Sequence, residues 1–211
     1  MPGSATDRAA STASTDPSTS SISPDAVALP LEVTDPQSAA KLAELAPDVT
    51  ILINNAGRFT GASFLSSPLE DIESDLKVNF YGPLYVTRAL APVIERNGGG
   101  HILNVHSVLS WVAFPGLEAY SAAKAAVWSQ TNALRLALKP RGIAVTGLHV
   151  GYVDTDFAEA VTAPKVASSA VATAALDGIE TDAPEVLVDE LSRNVKAGLA
   201  ADITALYPQV A

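Results

Sequence analysis

The sequence predicts an α/β fold in which helices cover both faces of a doubly wound parallel sheet. From residue 25 onward, short apolar runs alternate with longer stretches of helical periodicity. Hydrophobic residues make up 48% of the 211 residues and charged residues 17%, which is enough apolar material for a sizeable core. We therefore expect one domain over 25–211, with about five strands.

The predicted elements follow one another in a regular order. Strands are expected at 26–33, 50–54, 101–106, 143–149 and 185–188, and helices at 35–45, 67–96, 117–139 and 165–176. Pro30 marks the first strand as an edge or a bend. Asp35-Pro36 has the residue types of an N-cap and a first helical residue. The strand at 50–54 is an apolar run of the buried kind.

Later boundaries have their own signals. Ser67-Pro68-Leu69-Glu70 has the spacing of a capping box and opens the second helix. Three glycines at 98–100 end that helix and precede the next strand. Pro140 and Gly142 stop the third helix before the strand at 143–149. The fourth helix is Ala-rich.

Residues 1–24 differ in composition from the rest. They contain seven Ser, four Thr and three Pro, and little apolar surface to offset the entropy of ordering. We expect a disordered tail. A Ser/Thr-rich transit peptide is the alternative, although one Arg and two Asp argue against it.

Composition also excludes several classes of function. Thirteen Lys and Arg against 23 Asp and Glu give a formal charge of −10, without the basic face that nucleic acid requires. The absence of cysteine excludes disulfides, thiolate metal sites and cysteine nucleophiles. No apolar run reaches the length of a membrane span, and no secretory signal begins the chain. We expect an acidic, cytoplasmic protein that binds neither nucleic acid nor membrane.

Polar and small residues follow the predicted strands. Asn54-Asn55-Ala56-Gly57 follows one strand, His106-Ser107 the next and His149-Val150-Gly151 a third. Ligands of open α/β sheets bind in the crevice beyond the carboxyl ends of the strands. The following helix presents Tyr120 and Lys124, whose i, i+4 spacing puts both on one face. These residues predict a binding site at this edge.

The set resembles the active site of the short-chain dehydrogenase/reductase family. Tyr120-Ser121-Ala122-Ala123-Lys124 carries the resemblance, with Ser107 thirteen residues before the tyrosine. Asn54–Gly57, Asn79-Phe80-Tyr81-Gly82 and Gly151-Tyr152-Val153-Asp154-Thr155 extend it over about 26–190. A lone Tyr-x-x-x-Lys arises by chance in helices, whereas four motifs in the family's order and spacing do not. The resemblance implies a Rossmann-like fold and reversible alcohol–carbonyl interconversion on a small molecule with NAD or NADP.

The resemblance also implies the catalytic residues Asn79, Ser107, Tyr120 and Lys124. A free tyrosine has a pKa of about 10, and an ammonium beside it should lower that pKa. Lys124 would supply the ammonium and grip the nicotinamide ribose. Ser107 would hydrogen-bond the substrate oxygen. Asn79 would distort its helix and hold a water that relays protons to Lys124.

Cofactor binding is implied at ten positions: Glu32, Val33, Asn54, Ala56, Gly57, Tyr120, Lys124, Gly151, Val153 and Thr155. Glu32 stands where the family usually has Asp against the adenine. Val150 replaces the usual Pro. Thr155 matches the position that contacts the carboxamide, or it caps the following helix. The three histidines are too scattered to predict a metal site.

One family feature is missing. Family members begin with a strand and a turn, Thr-Gly-x-x-x-Gly-x-Gly, that binds the pyrophosphate at a helix N-terminus. This sequence has no glycine between Gly3 and Gly57. Segment 26–33 matches the family's third strand, so we expect an N-terminally truncated member without the first two strands. Strand 50–54 would then expose an edge and an apolar face, unless 26–33 moves over to pair with it.

Two function classes stay open at this point. The first is a nicotinamide-dependent oxidoreductase that is active despite the deletion, or whose reading frame has lost its true start. The second is a catalytically silent member that acts through assembly of its long helices, here about 70–96 and 117–139, through which the family forms homo-oligomers. The intact catalytic set favours the first class and the missing turn favours the second. The substrate and the choice between NAD and NADP cannot be predicted, because the segment that selects the cofactor is absent.

Several residues have simpler explanations. Ser107 could be a strand-end hydroxyl bonded to backbone, and Tyr120 with Lys124 an ordinary amphipathic pair. Strand alternation turns His106 away from Ser107, so we expect a packed histidine. Trp111 and Phe114 line the substrate pocket or pack the loop that holds them.

Overall fold

The structure is a computed structural model that describes residues 10–11 and 26–210. In chain order its strands and α-helices are β1 (Ala10–Ser11), β2 (Val27–Ala28), α1 (Pro36–Leu45), β3 (Ile51–Asn54), α2 (Leu69–Leu76), α3 (Gly82–Arg96), β4 (Gly100–Val105), α4 (Glu118–Leu138), β5 (Ile143–His149), β6 (Val153–Asp154), β7 (Val166–Ala167), α5 (Ser168–Glu180), β8 (Glu185–Leu187), α6 (Glu190–Gly198) and α7 (Ile203–Leu206). A π-helical segment joins α2 to α3. The predicted alternation of strands and helices is confirmed from β3 to β8.

The main sheet is parallel throughout. Among the described residues it has four strands in the order β3-β4-β5-β8. Ile51 lies opposite His101, and Gly100 lies opposite Ile143. The carboxyl ends of β3, β4 and β5 therefore meet at one edge of the sheet. Two short parallel ladders, β1 with β2 and β6 with β7, lie outside this sheet.

Apolar side chains cover both faces of the sheet. Ile102 and Leu103 are adjacent on β4 and fully buried, and strand alternation sends them to opposite faces. Ile102 packs in a core built with α1 and α3, whereas Leu103 packs in a core that includes Ala175 of α5. This confirms the doubly wound architecture.

The glycine turn before β4 is required by close packing. Gly100 has a φ of +156°, and a Cβ there would collide with the carbonyl of Thr50. His101 donates its N–H to the same carbonyl at 2.9 Å. The turn thus brings the start of β4 directly against the chain that enters β3.

The predicted strand at 26–33 is largely wrong. Only Val27–Ala28 is a strand, and it pairs with Ala10–Ser11. The hypothesis that this segment moves over to pair with β3 is therefore contradicted. From Leu29 onward the segment packs its apolar side chains on the α1–α3 core, and Pro30 offers no N–H for a ladder. Apart from Ala10–Ser11, the tail predicted at 1–24 lies outside the described residues.

The predicted exposure of the β3 edge is confirmed for the described chain. β3 pairs with β4 on one side, and no other described strand pairs with it. Ile51 and Ile53 are 47% and 45% exposed. An open strand edge with apolar side chains is uncommon in a folded protein.

Helix boundaries follow the local signals in part. The Asp35 carboxylate accepts a hydrogen bond from the N–H of Gln37 at 2.9 Å, which confirms the cap of α1. The predicted capping box of the second helix is wrong. Its N-cap is Pro68, and the Ser67 hydroxyl instead accepts a hydrogen bond from the N–H of Ser63.

The helix predicted from residue 165 starts later than expected. Val166–Ala167 first pairs with Val153–Asp154, and α5 begins at Ser168. A strand pairing thirteen residues back along the chain leaves no local signal in the sequence. No helix in the described part of the chain is long and apolar enough to cross a membrane.

Candidate active site

Ser107 lies at the carboxyl end of β4, near the centre of the sheet. It is buried, and its hydroxyl accepts a hydrogen bond from the N–H of Leu109 at 3.2 Å. The serine thereby caps the short 3₁₀ turn Val108–Ser110. The simpler explanation, a hydroxyl bonded to backbone, is thus true of Ser107. Its hydroxyl also interacts with Tyr120 and lowers the pKa of that phenol.

Tyr120 and Lys124 face the same strand ends from α4. The Lys124 ammonium is buried and donates to the carbonyl of Val105 at 2.9 Å. Val105 is the last residue of β4 and directly precedes His106-Ser107. Its Nζ lies 5.6 Å from the centre of the Tyr120 ring. The structure therefore brings together the three residues that the sequence placed 13 and four positions apart.

The acidity of Tyr120 differs from the expectation. Burial raises the pKa of its phenol, the carboxylate of Asp75 raises it further, and the interaction with Ser107 acts in the opposite direction. The expected lowering by Lys124 is not seen in this arrangement. Burial also lowers the pKa of Lys124 to about 8, because a buried ammonium lacks hydration. The phenol is thus held protonated at neutral pH.

Asn79 lies in the π-helical segment Lys77–Tyr81, so the predicted local distortion of the helix is observed. Its amide donates to the carbonyls of Arg58 at 2.7 Å and Asp75 at 2.9 Å, and its oxygen accepts from the N–H of Arg58 at 3.3 Å. The side chain therefore clamps the loop after β3. The water relay through Asn79 stays a prediction.

Asp75 is a buried carboxylate that the sequence analysis did not single out. It accepts hydrogen bonds from the N–H of Thr60 at 3.1 Å and from the Thr60 hydroxyl at 3.0 Å. Burial raises its pKa, which these hydrogen bonds and the charge of Arg58 partly offset. The i, i+4 spacing of Asp75 and Asn79 is the sequence signal that places this carboxylate on the same helix face as Asn79.

The end of β3 and the residues after it divide into a half-buried anchor, Asn54, and an exposed loop. The Asn54 amide donates to the Asn104 side-chain oxygen at 2.8 Å and to the Thr87 hydroxyl at 3.3 Å. Ala56 and Gly57 are exposed beyond it. Asn54 thus ties the end of β3 to β4, and the next residues offer free backbone on the site side.

Glu32 and Val33 lie beside the first helix and have different environments. Glu32 is exposed and accepts hydrogen bonds from the N–H and the hydroxyl of Thr34, which lower its pKa. Val33 packs on the α1–α3 core and against Gly82. Of the two, only Glu32 presents a free polar side chain.

The segment after β5 contains the remaining predicted cofactor residues. The N–H of Gly151 donates to Asp189 at 2.6 Å, and a Cβ on Gly151 would lie 2.9 Å from the same carboxylate. This contact explains the glycine without a ligand. Val153 pairs with Val166, and Thr155 is exposed without capping the following turn through its side chain. Thr155 therefore occupies the N-cap position, as the alternative predicted, although its hydroxyl donates to the carbonyl of Val153 and not to the turn.

Two histidines pack beneath the site. His106 is buried as predicted, and its ring lies 4.7 Å from that of His149. Trp111 stacks on His149 with ring centres 3.9 Å apart, and it also lines a cavity beside Leu109 and Val112, so both of its predicted roles stay open. Burial lowers the pKa of His149 to about 3, so both rings are neutral under ordinary conditions. Phe114 is 48% exposed.

Two phenylalanines beside Tyr120 were also missed. The ring of Phe59 meets that of Tyr120 edge-on at 5.7 Å, and Phe157 lies 6.3 Å from it. Phe59 follows the Asn-Asn-Ala-Gly motif by two residues, which is a weak signal. Phe157 has no sequence signal, since only the tertiary fold brings its turn to α4.

Comparison with known proteins identifies the family of this chain. The model of the short chain dehydrogenase family matches residues 4–165. The NADPH-dependent 1-acyldihydroxyacetone phosphate reductase of Schizosaccharomyces pombe is 36% identical over 132 residues, which are 60% of this chain and 44% of that protein. The chain thus spans about half the length of the curated relatives it matches.

Solved structures show the same fold. A short chain dehydrogenase from Burkholderia cenocepacia, crystallised with NADP, is 34% identical with a TM-score of 0.85, covering 90% of this chain and 81% of that one. A family member from Burkholderia phymatum with NAD is 22% identical with a TM-score of 0.74, covering 82% and 74%. The chain belongs to the short chain dehydrogenase family.

Proposed function

We propose that this chain is an oxidoreductase that transfers a hydride between a nicotinamide cofactor and an alcohol or carbonyl group. The convergence of Ser107, Tyr120 and Lys124 at the carboxyl end of β4 carries the proposal. The relatives support it, since the names of several include a dehydrogenase or reductase activity.

Each of the three side chains has a role that follows from its surroundings. The Tyr120 hydroxyl donates its proton to the carbonyl oxygen of the substrate as the C=O double bond becomes single. The Ser107 hydroxyl hydrogen-bonds the same oxygen and holds the carbonyl in place. Because the Tyr120 pKa is raised, reduction is favoured at neutral pH, and alcohol oxidation should increase as the pH rises.

The nicotinamide end of a cofactor fits the residues present. Lys124 uses one of its three N–H donors on Val105, which leaves two for ribose hydroxyls. The exposed residues Ala56 and Gly57 lie along the same edge, and Glu32 and Thr155 offer exposed polar side chains. A bound nicotinamide supplies or accepts the hydride at the substrate carbon. We place the cofactor across these residues, with Asn54, Val33, Gly151 and Val153 as backbone and packing support.

The pyrophosphate end has no comparable site in residues 26–210. That stretch contains no glycine before Gly57, so it has no glycine-rich turn against which phosphates could lie. Binding through the nicotinamide and ribose alone should be weak. The strength of cofactor binding is therefore the critical measurement.

We test the proposal by titrating the 211-residue chain with NADPH and NADH in a calorimeter, and then by assaying carbonyl reduction. We expect saturable binding, and Tyr120→Phe should lower turnover about 10²–10⁴-fold with little change in cofactor affinity. Tyr85→Phe on α3 is the matched control and should leave turnover unchanged. No binding at millimolar cofactor would overturn the proposal and leave the silent, assembly-based function.

We infer further that the chain forms a homo-oligomer through α3 and α4, acting in the cytoplasm on a small molecule. A groove of about 450 Å³ runs between Phe80 and Leu84 on one side and Ala126, Ser129, Gln130 and Ala133 on the other. Both polar atoms of the Gln130 side chain are buried without a hydrogen bond from the described residues. Sedimentation should show a dimer or larger species, and Ser129→Arg should shift it toward monomer.

A further inference from the structure

Three aromatic rings meet at the proposed proton donor. Phe59 meets Tyr120 with ring centres 5.7 Å apart, Phe157 lies 6.3 Å from Tyr120, and the two phenylalanines are 6.5 Å apart. Each ring is thus in contact with the other two. Phe59 is 43% exposed and Phe157 is 57% exposed, so both keep apolar surface free at the position a substrate must approach.

The two phenylalanines come from loops that are fixed in different ways. The residues on either side of Phe59 are held, since Asn79 clamps the backbone of Arg58 and Asp75 accepts from Thr60. Phe157 lies in the 3₁₀ turn Asp156–Ala158, whose last residue is buried. The backbone on both sides of Phe59 is therefore fixed by hydrogen bonds, whereas Phe157 is carried by a short turn beside the site.

The charges around these rings are mostly negative. Asp154, Asp156 and Glu159 are exposed on the segment that presents Phe157, and no Lys or Arg occurs between Arg141 and Lys165. The buried carboxylate of Asp75 adds a fourth negative charge. Two cations oppose these four carboxylates: Arg58, which precedes Phe59 and acts on Asp75, and the Lys124 ammonium, 5.6 Å from the centre of the Tyr120 ring. An anionic substrate would meet net repulsion here.

We propose that the substrate is an uncharged aromatic ketone or the corresponding alcohol, whose ring packs against Phe59 and Phe157 while its oxygen reaches Tyr120. This inference rests on the proposed function, and it names a substrate class for the same site. It differs from the chemistry in the name of the Schizosaccharomyces pombe relative, whose substrate carries a phosphate. The apolar rings and the surrounding carboxylates both select against such a charge.

The test uses two ligands that differ by one charged group. Acetophenone and 4-acetylbenzoate share the ring and the ketone, and the second adds a carboxylate. We measure the affinity of each for the 211-residue chain by calorimetry, with and without NADPH. Acetophenone should bind at least about tenfold more tightly than 4-acetylbenzoate. The double variant Asp156→Asn/Glu159→Gln should bring the two affinities closer together, because it removes two negative charges. Equal or tighter binding of 4-acetylbenzoate would overturn the inference.

Variants at the two rings test the contact directly. Phe59→Ala and Phe157→Ala should each weaken acetophenone binding about 2–10-fold, as expected for the loss of one aromatic contact. Phe157→Leu keeps apolar volume at the position and should lose less. Leu176→Ala on α5 removes a side chain of similar exposure, 55%, and should have no effect. If the two alanine variants bind acetophenone as Leu176→Ala does, the inference is wrong.

The same samples separate this inference from the proposed function, because NADPH oxidation is followed by absorbance. Acetophenone that binds through both rings but is never reduced would support the substrate class and contradict the proposed function. Reduction of a small polar ketone such as dihydroxyacetone, without acetophenone binding, would support the proposed function and contradict the substrate class. Circular dichroism of each variant verifies that its fold is intact.

Discussion

The centre of the sheet and its β3 edge differ in how fully their side chains are buried. On β4, Ile102 and Leu103 are fully buried between helices, and Asn104 is bonded on both sides, to Asn54 and to Thr131. On β3, Ile51 and Ile53 leave almost half of their surfaces exposed. The catalytic side chains of the proposed site stand on the first region, and much of the proposed cofactor surface stands on the second.

This difference shows how the two parts of the proposed site depend on the fold. Ser107 follows β4, and Lys124 on α4 donates to Val105 at the end of the same strand. Because β4 pairs with both β3 and β5, this geometry does not need the outer edge of β3 to be covered. The residues after β3 depend on a strand with only one described neighbour. The catalytic geometry can therefore be complete while the cofactor surface is weakly supported.

The largest expected effect compares the two regions directly. Ile102→Ala should reduce the free energy of unfolding by about 2–5 kcal/mol, because it leaves a cavity in the core. Ile53→Ala should cost about 1 kcal/mol or less, because the side chain is half exposed. Urea denaturation of both variants measures the difference. Equal losses would show that the β3 edge is covered in solution.

The next prediction concerns the buried histidines at the centre. His149 has a folded-state pKa of about 3, below its ordinary value of 6.5, because burial excludes the charged form. Its stabilising contribution is complete above pH 6.5 and is lost as the pH falls toward 3. At pH 4.5 the wild type should have lost about 2–3 kcal/mol more than His149→Phe, whose ring can still stack on Trp111. Identical pH profiles of the urea midpoint would contradict this.

A smaller effect is expected where the two regions meet. Asp75→Asn removes the carboxylate that raises the pKa of Tyr120, so the phenol should ionise at lower pH. Tyrosinate absorbance measured against pH follows the phenol without requiring turnover. Glu73→Gln removes an exposed carboxylate from the same helix, and it should leave the titration unchanged.

The Asp75 pKa itself gives a second readout. It is raised by burial, so the stability associated with neutral Asp75 is present below its unfolded pKa and is lost as the pH rises through the folded value. Asp75→Asn should lack this loss. The free energy of unfolding of the wild type should therefore fall, relative to Asp75→Asn, as the pH rises from the unfolded to the folded pKa of Asp75. A constant difference between the two proteins would contradict the raised pKa of Asp75.

The smallest effect lies on the exposed side. The Glu32 carboxylate accepts hydrogen bonds only from Thr34 among the described residues, and both residues are close to solvent. Glu32→Gln should change the free energy of unfolding by less than about 0.5 kcal/mol, measured by urea denaturation above pH 5. A loss in cofactor affinity without a loss in stability would support its proposed place beside the adenine.

The sequence by itself determined the main strands and helices from α1 to β5 and the identity of the proposed catalytic residues. Asp35 caps α1, the glycines at 98–100 mark the change from α3 to β4, and the i, i+4 spacing puts Tyr120 and Lys124 on one face. Each of these signals acts within one or two turns of chain. The motifs likewise predicted the family and its fold. Such signals are local, so they remain visible in a linear sequence.

Only the tertiary structure decided which segments pair and what surrounds Tyr120. Val27–Ala28 pairs with Ala10–Ser11 and not with β3, and Phe157 reaches α4 from nearly forty residues further along the chain. The Tyr120 pKa is raised because burial and Asp75 outweigh the neighbouring serine, a balance that depends on positions in space. Pairing, burial and charge are properties of distant residues brought together, and the order of residues along the chain does not specify them directly.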